Sequence, residues 1–116
     1  MLSNSEFKLT KWRLKILYPS EAEFDYEYYT TKHMPMFEQA AGTVLLNWNV
    51  VKLVGDNVPF QIQTTFTFSS SEGFDAIMAG PWGEKLFADI KNFSSMDPLI
   101  MKHGERLEKK DIALEY

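Results

Sequence analysis

Cysteine is absent from this 116-residue chain, which removes disulfides, thiolate metal ligands and cysteine nucleophiles together. Long uncharged apolar runs are absent as well. No window approaches the roughly eighteen apolar residues of a membrane-spanning helix, and the opening MLSNSEFKLTKWRLK lacks the apolar centre of a signal peptide. A soluble, cytoplasmic protein with no membrane partner is therefore expected. Basic blocks are missing too: 12 lysines and arginines are mixed with 16 acidic residues for a net charge of -4. No surface then favours a phosphate backbone, and nucleic acid is not an expected partner. Histidine is scarce, with His33 and His103 the only two. Neither belongs to a cluster at ligand spacing, so no metal site is expected. Nor does the chain hold GxGxxG, a P-loop or the GxSxG elbow of a serine nucleophile. One histidine suffices for a haem ligand, but no motif favours haem and no bound cofactor is expected.

Apolar residues make up 45% of the chain and aromatic residues 15%, enough for one compact core. No repeat, linker or low-complexity segment appears, so residues 1–116 are expected to form a single domain. From Lys11 to Tyr18 the residues alternate, Trp12, Leu14 and Ile16 against Lys11, Arg13 and Lys15, as a half-buried strand requires. Pro19 ends that strand. Two further strands are expected, one turning Val44, Leu46, Trp48 and Val50 to one face and one doing the same with Phe60, Ile62 and Phe66. Gly55-Asp56-Asn57 and Pro59 separate them. Ser69 and Glu72 match a capping box ahead of a short helix with Phe74, Ile77 and Met78, which Gly80-Pro81 closes. Leu86, Phe87, Ile90 and Phe93 recur at helical spacing, and Leu99-Ile100-Met101 reads as a fourth strand. The charged tail from Glu105 receives no assignment. Strand, helix, strand, strand, helices, strand is the order of an α+β, ferredoxin-like βαββαβ sandwich on a four-stranded antiparallel sheet. Helices should cover its apolar face, leaving Arg13, Lys15, Asn47, Asn49, Gln61, Gln63 and Thr65 on the other.

Residues 24–42, FDYEYYTTKHMPMFEQAAG, crowd three tyrosines, a histidine and a proline onto what reads as one helix. Asp25 suits the N-cap, Phe24 and Tyr29 the hydrophobic staple, Glu27 the electropositive first turn and Gly42 the stop. At about 100° per residue, Tyr26, Tyr29, His33, Phe37 and Ala40 share a face. Tyr28 points elsewhere, as an interface candidate. Pro35 cannot donate to the Thr31 carbonyl, so a kink is expected there, either opening room beside His33 or fitting the helix to its sheet. A shielded neutral histidine near phenolic hydroxyls can accept a proton from carbon or oxygen, since its ordinary pKa is about 6.5. The alternative is a buried histidine satisfied by a backbone carbonyl and a tyrosine. The tyrosines carry the same ambiguity between pocket and packing.

The segment FDYEYYTTKHMP, followed downstream by FTFSSSEGFDAIM, Gly83 and ADIKNF, resembles the EthD family, named for ethyl tert-butyl ether degradation, within the dimeric α+β barrel superfamily. The likeness runs from about Trp12 to Glu105. Its most specific parts are Tyr28-Tyr29, His33, Pro35, the run from Phe68 to Phe74, Asp89 and Asn92-Phe93. It implies a homodimer whose two sheets face each other as a barrel, so that the polar sheet face lines a lumen. It also suggests an auxiliary role beside an ether-cleaving monooxygenase system. Asp89 and Asn92 match the family pattern; the carboxylate would orient His33 or bind a polar group of the substrate, whereas capping and surface solvation explain the same pair without a function.

These readings give a catalytic set of His33 as acid and base, Tyr29 as its hydrogen-bonding partner, and Asp89. Tyr26, Tyr28, Phe37, Trp48 and Asn92 are the expected ligand contacts. Trp82 is read as core or pocket wall and His103 as an exposed residue near a strand end. The ligand expected is a small apolar or aromatic organic molecule, held between helices and sheet. Cofactor-independent oxidation, isomerisation, cyclisation or decarboxylation is the expected chemistry. A non-catalytic homodimer that carries a hydrophobic metabolite is the competing expectation.

Overall fold

The structure is a computed structural model and describes residues 10–106. Strand β1 (Thr10–Pro19) lies in the interior of the sheet. It pairs antiparallel with β3 (Phe60–Phe68) on one side and β4 (Leu99–Arg106) on the other, while β2 (Leu45–Lys52) pairs with β3 at the far edge. The order β2-β3-β1-β4 is that of the expected α+β, ferredoxin-like sandwich. Leu14 stands opposite Phe66 and Tyr18 opposite Ile62, and all four are sealed from solvent. Each such side chain stabilises the fold by roughly 1.5–3 kcal/mol of apolar burial. The alternation expected from Lys11 to Tyr18 thus aims this strand correctly.

In β2 the expected facing is wrong at one end. A register shift between Leu45 and Asn47 turns Leu45 onto the core and leaves Leu46 61% exposed, because a bulge reverses the facing of the residues before it. The Ser69–Glu72 capping box is also not formed. The helix, α2 (Gly73–Ala79), starts later, with Glu72 at its N-cap and no side-chain cap. Gly73 sets that start: a Cβ there would lie 2.8 Å from the Phe68 ring, so only glycine lets the helix approach β3 this closely. Helix α3 (Gly83–Asp89) follows at once and runs into a 3₁₀ turn, Ile90–Asn92. Phe93 is buried as its spacing predicts, but Phe87 is 51% exposed. Strand β4 extends beyond the expected three residues, so His103 sits within it opposite Arg13 and is half-buried. The charged tail beyond Arg106 lies outside the described residues.

On the polar sheet face Arg13 Nη1 donates to Thr67 Oγ1 at 2.9 Å, and His103 Nε2 lies 2.8 Å from Glu105 Oε2. Lys15 and Arg13 flank the same carboxylate at 3.3 and 3.5 Å. The His103 contact, then Lys15 and Arg13, hold the Glu105 carboxyl below its ordinary pKa against the opposing effect of burial. No described helix is long and apolar enough to cross a membrane.

Candidate functional site

Residues 26–41 form one broken helix, α1. It opens with an α-helical turn, Tyr26–Tyr28, passes through a π-helical stretch, Tyr29–His33, and ends as a regular α-helix, Met34–Ala41. Asp25 caps it as expected, its Oδ1 accepting the Tyr28 N–H at 3.0 Å. The Phe24 and Tyr29 rings meet at 5.1 Å as the hydrophobic staple, and Gly42, at φ 58°, ends the helix. The expected kink is instead a π insertion. The Met34 N–H reaches back to the Tyr29 carbonyl, one residue further than in an α-helix. Pro35 then falls in the first turn of the following α segment, where a missing N–H is tolerated. Upstream, the Thr30 and Thr31 hydroxyls donate to the Tyr26 and Glu27 carbonyls at 3.1 and 2.6 Å.

One inserted residue turns the first turn of α1 by about 100° relative to the rest. Tyr26, two ideal turns before His33, is carried off the inner face: it is 37% exposed, with Lys52 Nζ 4.1 Å above its ring. Tyr28 moves the other way. Its hydroxyl donates to Asp89 Oδ1 at 2.6 Å, so Tyr28 is neither turned away nor a wall of the cavity. Asn92, on the 3₁₀ turn, donates its Nδ2–H to the same oxygen at 3.0 Å. The other oxygen, Asp89 Oδ2, lies 2.9 Å from His33 Nδ1. Helices α1 and α3 thus bring His33 and Asp89 into one contact, each 7% exposed.

The charge states follow from that contact. Burial works to raise the Asp89 carboxyl, but hydrogen bonds from Tyr28, Asn92 and His33 outweigh it and hold the pKa below its ordinary value. Burial lowers the pKa of His33, with the Asp89 bond and charge opposing it. At neutral pH the pair is therefore carboxylate and neutral imidazole. An ionised carboxylate only accepts, so Nδ1 carries the proton and Nε2 is the free acceptor. No described residue hydrogen-bonds Nε2.

Tyr29 was expected to bond His33 and does not. Its hydroxyl pairs with that of Thr64 on β3 at 2.5 Å, and its ring stacks on the imidazole at 5.6 Å and 17°. The side chain reaches past the histidine to the sheet, where Thr64 is fully buried. Burial first, and the Thr64 contact only in opposition, places the Tyr29 hydroxyl well above its ordinary pKa.

His33, Tyr29 and Phe37 line an apolar cavity between α1, α3 and the sheet, floored by Ile16, Tyr18, Phe66 and Ile100. Its volume is about 30 Å³, room for one or two waters, and it is open on one side. Phe87 lines it and is half exposed, which puts this ring at the mouth. Trp48 does not reach the cavity. Strand β2 is the edge beyond β3, and the Trp48 Nε1–H is directed to Glu38 Oε2 at 3.0 Å. Asn92, exposed, stands behind Asp89 and also lies outside the lining. Tyr18 was passed over in the sequence because it continues the apolar alternation of β1; its phenol at the strand end was the available signal. Among the described residues no three His, Asp or Glu side chains gather to hold a metal ion.

The sequence matches no known family profile and no curated protein. Solved structures do match. An EthD-like protein from Ralstonia eutropha JMP134 superposes with a TM-score of 0.70 at 24% identity, over 90% of this chain and 97% of that one. An ethyl tert-butyl ether degradation (EthD) family protein from Bacillus halodurans C-125 gives 0.64 at 21% identity, over 80% and 96%. A dimeric ferredoxin-like protein of unknown function from Thermobifida fusca YX gives 0.53 at 14%, over 92% and 100%. The chain shares the fold of these proteins, in agreement with the EthD resemblance carried by Tyr28-Tyr29, His33 and Pro35.

Proposed function

We propose that the chain is an EthD-type protein that binds a small apolar or aromatic organic molecule in the cavity beneath α1, where His33 acts as general base and then as acid. The observation that carries this reading is the His33–Asp89 contact. It leaves Nε2 as the unprotonated nitrogen of an imidazole that lines an apolar cavity. Asp89 orients the ring and stabilises the imidazolium that forms once a proton is taken. Tyr29 and Phe37 shape the wall. A molecule with one aromatic ring needs the wall to open, and Phe87 at the mouth is the side chain placed to give way. The reaction class is a proton transfer at a carbon or hydroxyl, as isomerisation, cyclisation or decarboxylation requires. The same proton removal would serve an oxidation in which the resulting carbanion or phenolate gives up its electrons to dissolved dioxygen as the oxidant.

A homodimer in which two sheets meet on their Arg13–Glu105 faces is part of the proposal, supported by the shared fold of a protein described as dimeric. Light scattering at micromolar concentration should give twice the 13.5 kDa chain mass; a monomer would remove the barrel.

The chemical claim is tested with phenylacetone in D₂O, followed by NMR. Deuterium should enter the position between ring and carbonyl faster with the protein than in buffer, and His33→Ala should abolish the excess at unchanged affinity. Equal exchange in both proteins would leave a carrier of hydrophobic molecules; no binding at all would remove the site.

A further inference from the structure

We propose that Tyr18 supplies the second polar contact of the cavity, its hydroxyl donating a hydrogen bond to an oxygen of the ligand, so that the ligand class is a compact aromatic or alicyclic carbonyl compound and not a hydrocarbon. This rests on the cavity being the ligand site. The residue is 1% exposed and lines the cavity from β1. Its ring is held on several sides, by Phe24 at 4.8 Å, Phe93 at 5.6 Å and Tyr29 at 5.7 Å. A phenylalanine would satisfy all of that packing. The hydroxyl nevertheless has no hydrogen-bond partner among the described residues. Tyr28 and Tyr29, by contrast, are paired with Asp89 and Thr64.

The two described side-chain atoms that are sealed and lack a hydrogen-bond partner are Arg13 Nε and His103 Nδ1. Tyr18 Oη is not among them, so this oxygen borders open space, and the space its residue borders is the cavity. An unpaired hydroxyl in apolar surroundings is costly, and a ligand oxygen relieves that cost. Burial first, then the nearby Tyr29, Asp89 and Asp97, pushes the Tyr18 hydroxyl far above its ordinary pKa. It stays protonated and donates.

Tyr18 and His33 are near neighbours across the same two rings: both contact Tyr29 and Phe93. A carbonyl compound between them is polarised in the direction that His33 needs. When Nε2 takes a proton from the carbon next to the carbonyl, the C–H pair becomes the enolate double bond and the charge moves to the oxygen held by Tyr18. Return of the proton to the same carbon exchanges it, and in a β,γ-unsaturated carbonyl compound its delivery to the γ-carbon of the dienolate moves the double bond into conjugation; either step restores a neutral carbonyl compound and neutral His33. No oxidant or reductant enters this sequence.

Calorimetric titration of wild type and Tyr18→Phe with acetophenone and with its hydrocarbon isostere α-methylstyrene tests the assignment, together with thermal melts of both ligand-free proteins. The preference for acetophenone should fall about tenfold in the variant, with α-methylstyrene affinity unchanged. Ligand-free Tyr18→Phe should melt at the same temperature as wild type or higher, because the lost hydroxyl had no partner. Binding of both compounds with an unchanged preference overturns the role of Tyr18 and leaves the pocket standing. A lower melting temperature for the ligand-free variant overturns it as well, by showing that the hydroxyl is bonded within the protein. If neither compound binds wild type, the pocket falls and this inference with it.

Discussion

Asp89→Asn keeps the shape of the side chain and removes its charge together with one of its two acceptor oxygens. The remaining oxygen can still accept from Tyr28 and Asn92, which both address Oδ1. The amide nitrogen then faces His33 Nδ1, where Asp89 Oδ2 stood at 2.9 Å. Two donors cannot meet there, so the imidazole must give up its Nδ1 proton and carry one on Nε2 instead. The variant therefore presents a donor to the cavity in place of a base, and base catalysis should be lost without loss of the pocket. On stability, a charge-assisted bond becomes a neutral one inside a contact whose two residues are each 7% exposed. Full burial would set the cost near the upper end of the range for such bonds; the Tyr28 and Asn92 side opens to water, which reduces it to about 1–2 kcal/mol. For a domain of this length that lowers Tm by roughly 4–10 °C. Long-range ¹⁵N–¹H correlation spectra of the His33 ring, recorded through a pH titration, check the tautomer directly. Wild type should show Nδ1–H with a pKa below 6.5, and the variant Nε2–H with a pKa lower still, since the bond and the charge of Asp89 that raise it against burial have gone. An Nε2–H wild type, or a pKa that rises in Asp89→Asn, would refute the reasoning.

Tyr29→Phe should destabilise by about 1–2 kcal/mol, because it strands the fully buried Thr64 hydroxyl. The ring stack remains, so the His33 titration should not move, and a moved His33 pKa would place the Tyr29 hydroxyl in the wrong contact. Stability should fall on acidification. His33 and Asp89 both have folded pKa values below their unfolded ones, so the unfolded chain binds more protons as the pH drops. Their contribution is complete above the unfolded histidine value of about 6.5 and is lost progressively below it. Urea midpoints at pH 8, 6 and 4 should decline in that order, and a rise between pH 8 and 6 would contradict the assignment of a neutral buried imidazole.

Periodicity reported the fold well because burial dictates it. The alternation through Leu14, Ile16 and Tyr18 and the spacing of Leu86, Ile90 and Phe93 are written by the core itself, whereas Trp12, on the same face, is left 37% exposed. The Asp25 cap and the Phe24–Tyr29 staple were equally legible, being local. Failures occurred where a side chain answers to a distant partner or the backbone departs from its period. The bulge at Leu45 and Asn47 depends on the pairing with β3, and the Ser69–Glu72 pattern yields to the close packing of Gly73 on Phe68. Within the site, His33 and Phe37 were placed on the correct face. Tyr26 and Tyr28 were exchanged because an ideal helix was projected through the π-helical stretch. The pairing of Asp89 with His33 came from the family resemblance; no rule of spacing joins residues on separate helices.

The π insertion also works as an adjustable joint. Phe37 and Ala41, downstream of it, are locked against the sheet, whereas Asp25 and Phe24, upstream, are anchored to the loop after α3 through the Asp25 N–H and the Phe93 carbonyl at 2.8 Å. The five residues between set the phase of one end against the other without disturbing either anchor. Removing one of them would restore an unbroken helix with both ends in their present phase, Tyr28 still facing Asp89 and Tyr26 still turned outward, because the π stretch takes up one residue's turn of about 100°. Such a segment holds one residue of slack, so a single deletion within it would leave the surroundings of the imidazole in place on the same scaffold.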